Sequence, residues 1–190
     1  EKYMANRNEE GWWRDYSACN LWTVAFFMPL TDEGLQLLPT TEALKQLLRG
    51  NISTQKIVEA ANELGAEKRF FHWCLEFPEV FEEGGFSCVL GNPPWERIKL
   101  QEKEFFASKD PDIVNAANKA AREKLIKQLI YSNPQLLQEF DGAKHDADAQ
   151  GKFIRESGRF PLTAVGDINT YSVFAETTRK LINADGRVGV

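Results

Sequence analysis

Apolar residues in the first half of this chain recur mostly at the spacing of helices, with glycine and proline breaks between the stripes. The first clear stripe predicts a helix over 42–49 that ends at Gly50. The second stripe predicts a helix that begins after a cap at Ser53 and ends at Gly65. Segment 21–30 is nearly all apolar, and its periodicity does not decide between a buried helix and a strand.

Three further segments predict extended structure. Residues 70–77 are predicted as a strand or extended segment that closes at Pro78. Residues 86–90 form a short apolar run after a pair of glycines, which predicts a buried strand. A last strand is predicted to begin after Asp185-Gly186.

The second half is long, polar and mostly helical in pattern. A helix is predicted to start at Asp110-Pro111 and to run to Tyr131. Pro134 breaks the pattern and opens a short helix to Phe140, and 141–152 is predicted to be a mobile loop or a frayed helix. A final helix is predicted to begin at a cap formed by Asp167 or Asn169. Its predicted inner face comprises Tyr171, Phe174, Ala175, Thr178, Leu181 and Ile182.

Composition limits the kinds of protein that this chain can be. With 190 residues, of which 43% are hydrophobic, the chain suffices for one domain with a sizeable core. No apolar run approaches the ~20 residues of a membrane span, and no signal peptide is predicted, so we expect a cytoplasmic protein without membrane contact. The three widely spaced cysteines, Cys19, Cys74 and Cys88, argue against a disulfide framework and a zinc site. No metal site is expected, and His72 is expected at a strand edge.

The charge is unevenly distributed. The net charge is −5, yet residues 97–127 hold eight basic and five acidic side chains. Such a stretch either contacts phosphate or forms a solvated helix face with i,i+4 ion pairs, and both interpretations stay open. If it contacts phosphate, Arg97, Lys99 and Lys103 are the candidate DNA-binding residues.

The segment Gly91-Asn92-Pro93-Pro94-Trp95 directly follows the predicted strand at 86–90. Ligands bind at the carboxyl ends of strands in open α/β sheets. Each proline fixes its own φ and constrains the residue before it, so the turn is nearly rigid. A rigid turn can direct the Asn92 amide oxygen and the Pro93 carbonyl at one exocyclic NH2. Trp95 offers a flat face for a ring to stack on, worth roughly 1–3 kcal/mol.

Asn-Pro-Pro-aromatic after an apolar strand resembles the catalytic motif of S-adenosylmethionine-dependent amino-methyltransferases. Four flanking segments resemble type IIG restriction–modification enzymes and related phage-defence methylases: 71–81, 95–106, 158–163 and 166–171. The resemblance covers about residues 65–108 and 157–190. It departs from the family at Ser87, where an acidic residue is usual.

The resemblance implies an N6-adenine DNA methyltransferase with a helix-rich, partial Rossmann-like α/β fold and an incomplete sheet. Asn92, Pro93, Pro94 and Trp95 are then the catalytic residues, S-adenosylmethionine is the cofactor, and double-stranded DNA with a flipped adenine is the partner. We expect one partial methyltransferase domain in three parts. These are 1–95 (helices and the strand before the motif), 96–157 (a helical insertion) and 158–190 (a helix and a truncated strand).

The sequence contains no Gly-x-Gly turn of the kind that binds the cofactor. In the resembling methylases that turn precedes the catalytic motif, so we expect it upstream of Glu1, in a larger parent protein. We therefore expect this chain alone to be inactive, to bind S-adenosylmethionine weakly and to self-associate. Two alternatives remain: an RNA guanine or protein glutamine methyltransferase, and a non-catalytic helical module that binds DNA or a partner.

Overall fold

The computed structural model describes residues 10–51 and 54–190, and shows helices with one small parallel sheet. The helices before the sheet are α1 (Glu10–Val24), α2 (Asp32–Gln36), α3 (Thr41–Leu48), α4 (Gln55–Glu67), α5 (Trp73–Glu76) and α6 (Pro78–Glu82). The strands are β1 (Phe86–Leu90) and β2 (Ile182–Gly189). The remaining helices are α7 (Glu102–Phe106), α8 (Pro111–Val114), α9 (Lys119–Ser132), α10 (Pro134–Glu156) and α11 (Thr170–Leu181). This mixed fold is compatible with a partial methyltransferase fold, as predicted.

The chain divides into two compact units. The first comprises the residues up to Pro93 together with Phe174–Val190, and the second comprises Pro94–Val173. The division between them falls inside the predicted catalytic motif. The three-part organisation expected from the sequence stays a prediction. Within the described residues, no helix is long and apolar enough to cross a membrane.

The core of the first unit forms where α1 packs against α3 and α4. Leu21, Val24, Met28 and Ala61 are buried there. Segment 21–30, which the sequence left undecided, is therefore helix to Val24 and then turn. The stripes predicted for the two helices are confirmed in part. Around this core pack Leu44, Leu47, Ile57, Val58 and Leu64, whereas Leu48, predicted on the same face as Leu44 and Leu47, is 51% exposed.

The ends of α3 and α4 differ in how well the sequence predicted them. The Thr40 hydroxyl accepts a hydrogen bond from the Ala43 N–H and caps α3, which begins one residue before its predicted start at 42. The predicted cap Ser53 lies outside the described residues. The predicted end of α4 at Gly65 is wrong, because the helix continues to Glu67. A Cβ at Gly65 would lie 3.0 Å from the Asn20 side chain, so this glycine allows close packing and does not end the helix.

The strand predicted over 70–77 is also wrong. This segment contains α5, and Pro78 begins α6, because proline is well suited to the first turn of a helix. Its aromatic side chains pack on one another: Phe71 and Phe77 both contact Trp73, with ring centroids 4.9 and 5.9 Å away. The aromatic composition that favours a strand here serves tertiary packing of helices instead.

His72 is buried and does not lie at a strand edge. Its Nε2 lies 2.7 Å from Asn20 Oδ1. The Asn20 amide nitrogen donates to Asn62, whose amide nitrogen donates to the Ser17 hydroxyl, each over 2.9 Å. Because Asn20 Oδ1 is an acceptor, Nε2 of His72 is the donor. A connected polar chain thus runs through the first unit.

The sheet pairs β1 with β2 in parallel, from Phe86 opposite Ile182 to Leu90 opposite Gly189. The predicted strand at 86–90 is confirmed, but its predicted burial is wrong, since Leu90 is 78% exposed. Within the described residues β1 has one neighbouring strand, which leaves much of its surface uncovered. β2 begins at Ile182, earlier than predicted, and Asp185-Gly186 lies at an irregularity in the pairing.

The second unit has an apolar core that α7, α8, α9 and α10 build. Its buried members are Phe106, Ile113, Ile126, Leu129, Leu136 and Phe140. The single helix predicted from 110 to 131 is two helices, α8 and α9. The break arises because Asn118 adopts extended backbone geometry and its Oδ1 accepts from the Ala121 N–H, which starts a new helix.

α10 is much longer than predicted. It runs for 23 residues and includes 141–152, which the sequence marked as a loop or frayed helix. Ala149, Gly151 and Ile154 are buried on it, so tertiary contacts stabilise a segment whose polar composition favours disorder.

α11 begins as predicted but buries a different face. Asn169, and not Asp167, caps it, with Oδ1 accepting from the Tyr171 N–H over 3.2 Å. Leu181 is buried as predicted, whereas Tyr171, Phe174 and Ala175 are exposed. Glu176 is buried instead and forms an ion pair with Lys180. The apolar stripe alone did not identify this buried carboxylate.

Candidate active site

Asn92 lies at the carboxyl end of β1. The Gly91 N–H donates to the Gly189 carbonyl over 3.1 Å, which extends the pairing of β1 and β2 one residue beyond the strand. Asn92 follows immediately and is exposed, and Pro93 after it is half-buried. The sheet therefore positions Asn92 through main-chain bonds, at the strand end where ligands bind in α/β folds.

Pro94 and Trp95 belong to the second unit, where they are held by the start of α11. The Thr170 hydroxyl donates to the Pro94 carbonyl and accepts from the Glu96 N–H, the latter over 2.9 Å. The Thr170 N–H donates to the Glu96 carbonyl, also over 2.9 Å. Trp95 thus lies between two residues that are bound to the same threonine.

A further main-chain bond extends the contact between 94–98 and 168–170, which run antiparallel to each other. The Ile98 N–H donates to the carbonyl of buried Ile168 over 3.1 Å, and Arg97 lies opposite Asn169. Segment 94–98 therefore follows a defined path along 168–170.

Trp95 is 74% exposed, and its ring packs on Tyr171. The two ring centroids lie 5.3 Å apart, with an angle of 33° between the planes. Trp95 provides the accessible flat face that the sequence predicts. Tyr171 was missed as a site residue because its position in the helical stripe assigned it to the core. Its place in the segment 166–171, which resembles the methylases, was the available signal.

Residues 95–101 line a cleft of about 690 Å³ against α10. Arg97 and Lys99 are among these lining residues. Lys103 lies on α7, where it is exposed and does not line the cleft. Acidic side chains also line the cleft: Glu96, Glu104 and Asp146. The cleft carries both signs of charge, so charge alone does not identify it as a phosphate site.

The basic stretch 97–127 is partly neutralised by ion pairs. Arg122 Nε lies 2.7 Å from Glu102, and Lys119 lies 3.6 Å from Glu123 at i,i+4 spacing. Lys109 donates to Glu139 over 2.7 Å, and this bond lowers the pKa of the Glu139 carboxyl. In the described part of the chain no ion pair engages the three candidate DNA contacts: Arg97, Lys99 and Lys103.

The described residues contain no group of three or more His, Cys, Asp or Glu side chains that could hold a metal ion. The three cysteines are free thiols. Of the motif, the structure leaves Asn92 exposed in the first unit and Trp95 exposed beside Tyr171 in the second.

Comparison with known families decides the class of protein. Residues 16–132, more than half of the chain, match the model of the Eco57I restriction-modification methylase. The chain belongs to this family. The match spans the motif at 92–95 and extends into α9. No curated protein and no solved structure matches the chain.

Membership in the Eco57I family confirms the predicted restriction–modification methylase class. It identifies the chain as a DNA methyltransferase of restriction–modification type, and so favours DNA over the RNA and protein substrates that the sequence left open. Thr170 and Tyr171 lie outside the matched residues, so their contacts with 94–96 are information that the structure adds.

Proposed function

We propose that this Eco57I-family chain belongs to an S-adenosylmethionine-dependent enzyme that methylates the exocyclic N6 amine of adenine in DNA. We place this enzyme in a bacterial restriction–modification or phage-defence system, acting in the cytoplasm. The observation that carries the proposal is the position of Asn92, which is exposed at the carboxyl end of β1 and followed by two prolines.

The chemistry requires two acceptors for one amine. The adenine N6 group carries two hydrogens, and the Asn92 amide oxygen and the Pro93 carbonyl can each accept one. Holding both hydrogens favours a pyramidal nitrogen whose lone pair is available to form a bond. When bound, S-adenosylmethionine supplies the electrophilic methyl group. Asn92 and Pro93 would hold the amine while its nitrogen takes the methyl carbon, the cofactor's sulfur would keep the electron pair of the broken carbon–sulfur bond, and the proton that the amine loses would pass to water.

Adenine must leave the duplex before this reaction. Its amino group cannot be reached inside the base stack, so enzymes of this chemistry flip the base out. We assign Trp95 the role of stacking on the flipped base, since this residue is 74% exposed. Base–aromatic stacking contributes roughly 1–3 kcal/mol per base.

Contacts with the DNA backbone are the third part of the proposal. Arg97, Lys99 and Lys103 are exposed and follow the motif within a few residues. We propose that they contact phosphates near the flipped base. Since such contacts release counterions, neutral replacements should weaken binding in a salt-dependent way without changing sequence preference.

The test is product analysis. The purified full-length enzyme is incubated with DNA and methyl-labelled S-adenosylmethionine, and the digested nucleosides are separated and identified by mass spectrometry. We expect label in N6-methyladenine for the wild type and for Cys88→Ser, an exposed control on β1. We expect none for Asn92→Ala. Label in a methylated cytosine, in RNA or in protein glutamine would overturn the assignment to adenine.

A further inference from the structure

An exposed tryptophan stacks weakly on a base unless other residues restrict the conformation of its side chain. A free indole samples several rotamers, and ordering it on binding costs conformational entropy. Trp95 is 74% exposed, so the surrounding core does not immobilise it. The contacts that restrict it come from the first two residues of α11.

We propose that Thr170 and Tyr171 are positioning residues for Trp95. Thr170 fixes the backbone on both sides of the tryptophan, and Tyr171 fixes the orientation of its ring. The inference rests on the proposed role of Trp95 in stacking on the flipped base, and adds two residues that are outside the family match.

Thr170 is suited to this task by its hydroxyl, which is both donor and acceptor. It donates to the carbonyl of Pro94 and accepts from the N–H of Glu96, so one oxygen atom bridges the peptide groups before and after Trp95. Serine can form the same pair of bonds. Valine has nearly the same shape as threonine but can form neither.

Tyr171 acts on the ring itself. The centroid distance of 5.3 Å and the tilt of 33° are within the range of favourable aromatic pairs. Its own ring is about half exposed, so this contact is not part of a buried core. Phenylalanine preserves the aromatic contact, whereas alanine removes it.

The neighbouring bond between Ile98 and Ile168 offers an internal control. It joins the same two segments through main-chain atoms alone, and Ile168 is buried. Replacing the Thr170 hydroxyl should release the Glu96 amide and leave the Ile98 amide protected. A general loss of structure would release both.

The first experiment is amide hydrogen exchange, resolved by residue, on the full-length protein without DNA. We expect faster exchange at Glu96 in Thr170→Val, wild-type exchange in Thr170→Ser, and unchanged exchange at Ile98 in both. Unchanged protection of Glu96 in Thr170→Val would overturn the bridging role. This readout does not depend on any enzymatic activity.

The second experiment measures methyl transfer under single-turnover conditions. Thr170→Val is expected to lower the rate about tenfold, as the loss of one or two net hydrogen bonds implies, and Thr170→Ser is expected to restore it. Tyr171→Ala should lower the rate and Tyr171→Phe should retain it. DNA affinity should change less than the rate in each case, because phosphate contacts dominate affinity.

The outcomes separate this inference from the proposed function. A wild-type enzyme that transfers no methyl group to adenine would contradict the proposed function. An active enzyme whose rate is unaffected by Thr170→Val and by Tyr171→Ala would overturn the positioning roles alone. If Thr170→Val speeds amide exchange at Ile98 as well as at Glu96, the threonine supports the whole segment and its specific role at Trp95 is overturned. The role of Tyr171 is then decided by whether Tyr171→Ala lowers the transfer rate and Tyr171→Phe retains it.

Discussion

The two halves of the motif are held in different ways. Asn92 follows a parallel pairing of β1 and β2 that main-chain bonds maintain, ending with Gly91 bound to Gly189. Main-chain bonds also hold Glu96 and Ile98 in the second unit, but the peptide groups on both sides of Trp95 are bound by the Thr170 hydroxyl, and the Trp95 ring packs on Tyr171. Main-chain pairing survives most side-chain substitutions, whereas an anchor of this kind depends on residue identity. The half assigned to chemistry thus has the more robust support, and the half assigned to base stacking can be altered by single substitutions.

The interiors of the two units also differ. The first unit contains the hydrogen-bonded chain of Ser17, Asn62, Asn20 and His72 beside its apolar core. The core of the second unit is apolar, with the rings of Phe106 and Phe140 5.0 Å apart. A buried polar chain is sensitive to the loss of any member, because each leaves a neighbour unsatisfied. An apolar core responds mainly to lost volume.

The largest effect is expected from Asn92→Ala. It removes an acceptor that acts on the amine in the transition state, so methyl transfer should fall to background, by at least about 10²–10³-fold. DNA affinity should stay within about twofold of wild type, because phosphate contacts supply most of it. A filter-binding assay beside the transfer assay measures both. Substantial methylation by Asn92→Ala would contradict the assignment of the first half of the motif.

Gly85→Ala tests the sheet that supports Asn92. Gly85 has φ +120°, and a Cβ there would lie 2.6 Å from the Leu181 carbonyl oxygen. The substitution should destabilise the protein by about 1–3 kcal/mol, which chemical unfolding measures. Gly91→Ala is the matched control at the other end of β1, since its Cβ meets nothing within 4 Å. Equal losses in both variants would show that the β1–β2 contact does not provide the support described.

Trp95→Ala and Trp95→Phe test the second half. Alanine should cost roughly 1–3 kcal/mol of flipped-base stabilisation, visible as a lower transfer rate, and phenylalanine should retain most of the rate because a π face remains. Tyr131→Ala, which alters a tyrosine that is 90% exposed, is the control and should behave as wild type. If Trp95→Ala and Trp95→Phe lower the transfer rate equally, stacking is not the role of this side chain.

The smallest effect is expected from Glu139→Gln. The hydrogen bond and charge of Lys109 lower the pKa of this carboxyl below its ordinary value of 4.5, so the ionised form stabilises the folded state. That contribution is present above the ordinary pKa and is lost as the pH falls through the folded-state value. We expect Glu139→Gln to lower Tm slightly at pH 7 and not at all in strong acid. A high salt concentration should reduce the difference, because the pair is exposed.

The sequence predicted correctly those elements that neighbouring residues in the chain determine. Asn169, one of the two residues predicted to cap the last helix, caps it, and the strand before Asn92 lies where its apolar run predicts. The motif at 92–95 was found because prolines and an aromatic after a strand form a recognisable pattern.

The failures arise where tertiary contacts override local preference. Segment 70–77 has the composition of a strand but packs its rings between short helices, and 141–152 is helical although its composition favours a loop. The partnership of Trp95 with Tyr171 joins residues 76 positions apart in the chain, so no local pattern reveals it.

Asn92 is assigned to the chemistry and Trp95 to base stacking. The most direct test of these two roles compares methyl transfer on two DNA substrates. In one, the mapped target adenine pairs with thymine; in the other, it faces an abasic site, which lowers the cost of flipping. Single-turnover rates are measured for wild type, Asn92→Ala and Trp95→Ala. We predict that the abasic substrate recovers most of the rate of Trp95→Ala and none of the rate of Asn92→Ala. Recovery of Asn92→Ala, or a defect of Trp95→Ala that is the same on both substrates, would contradict the account.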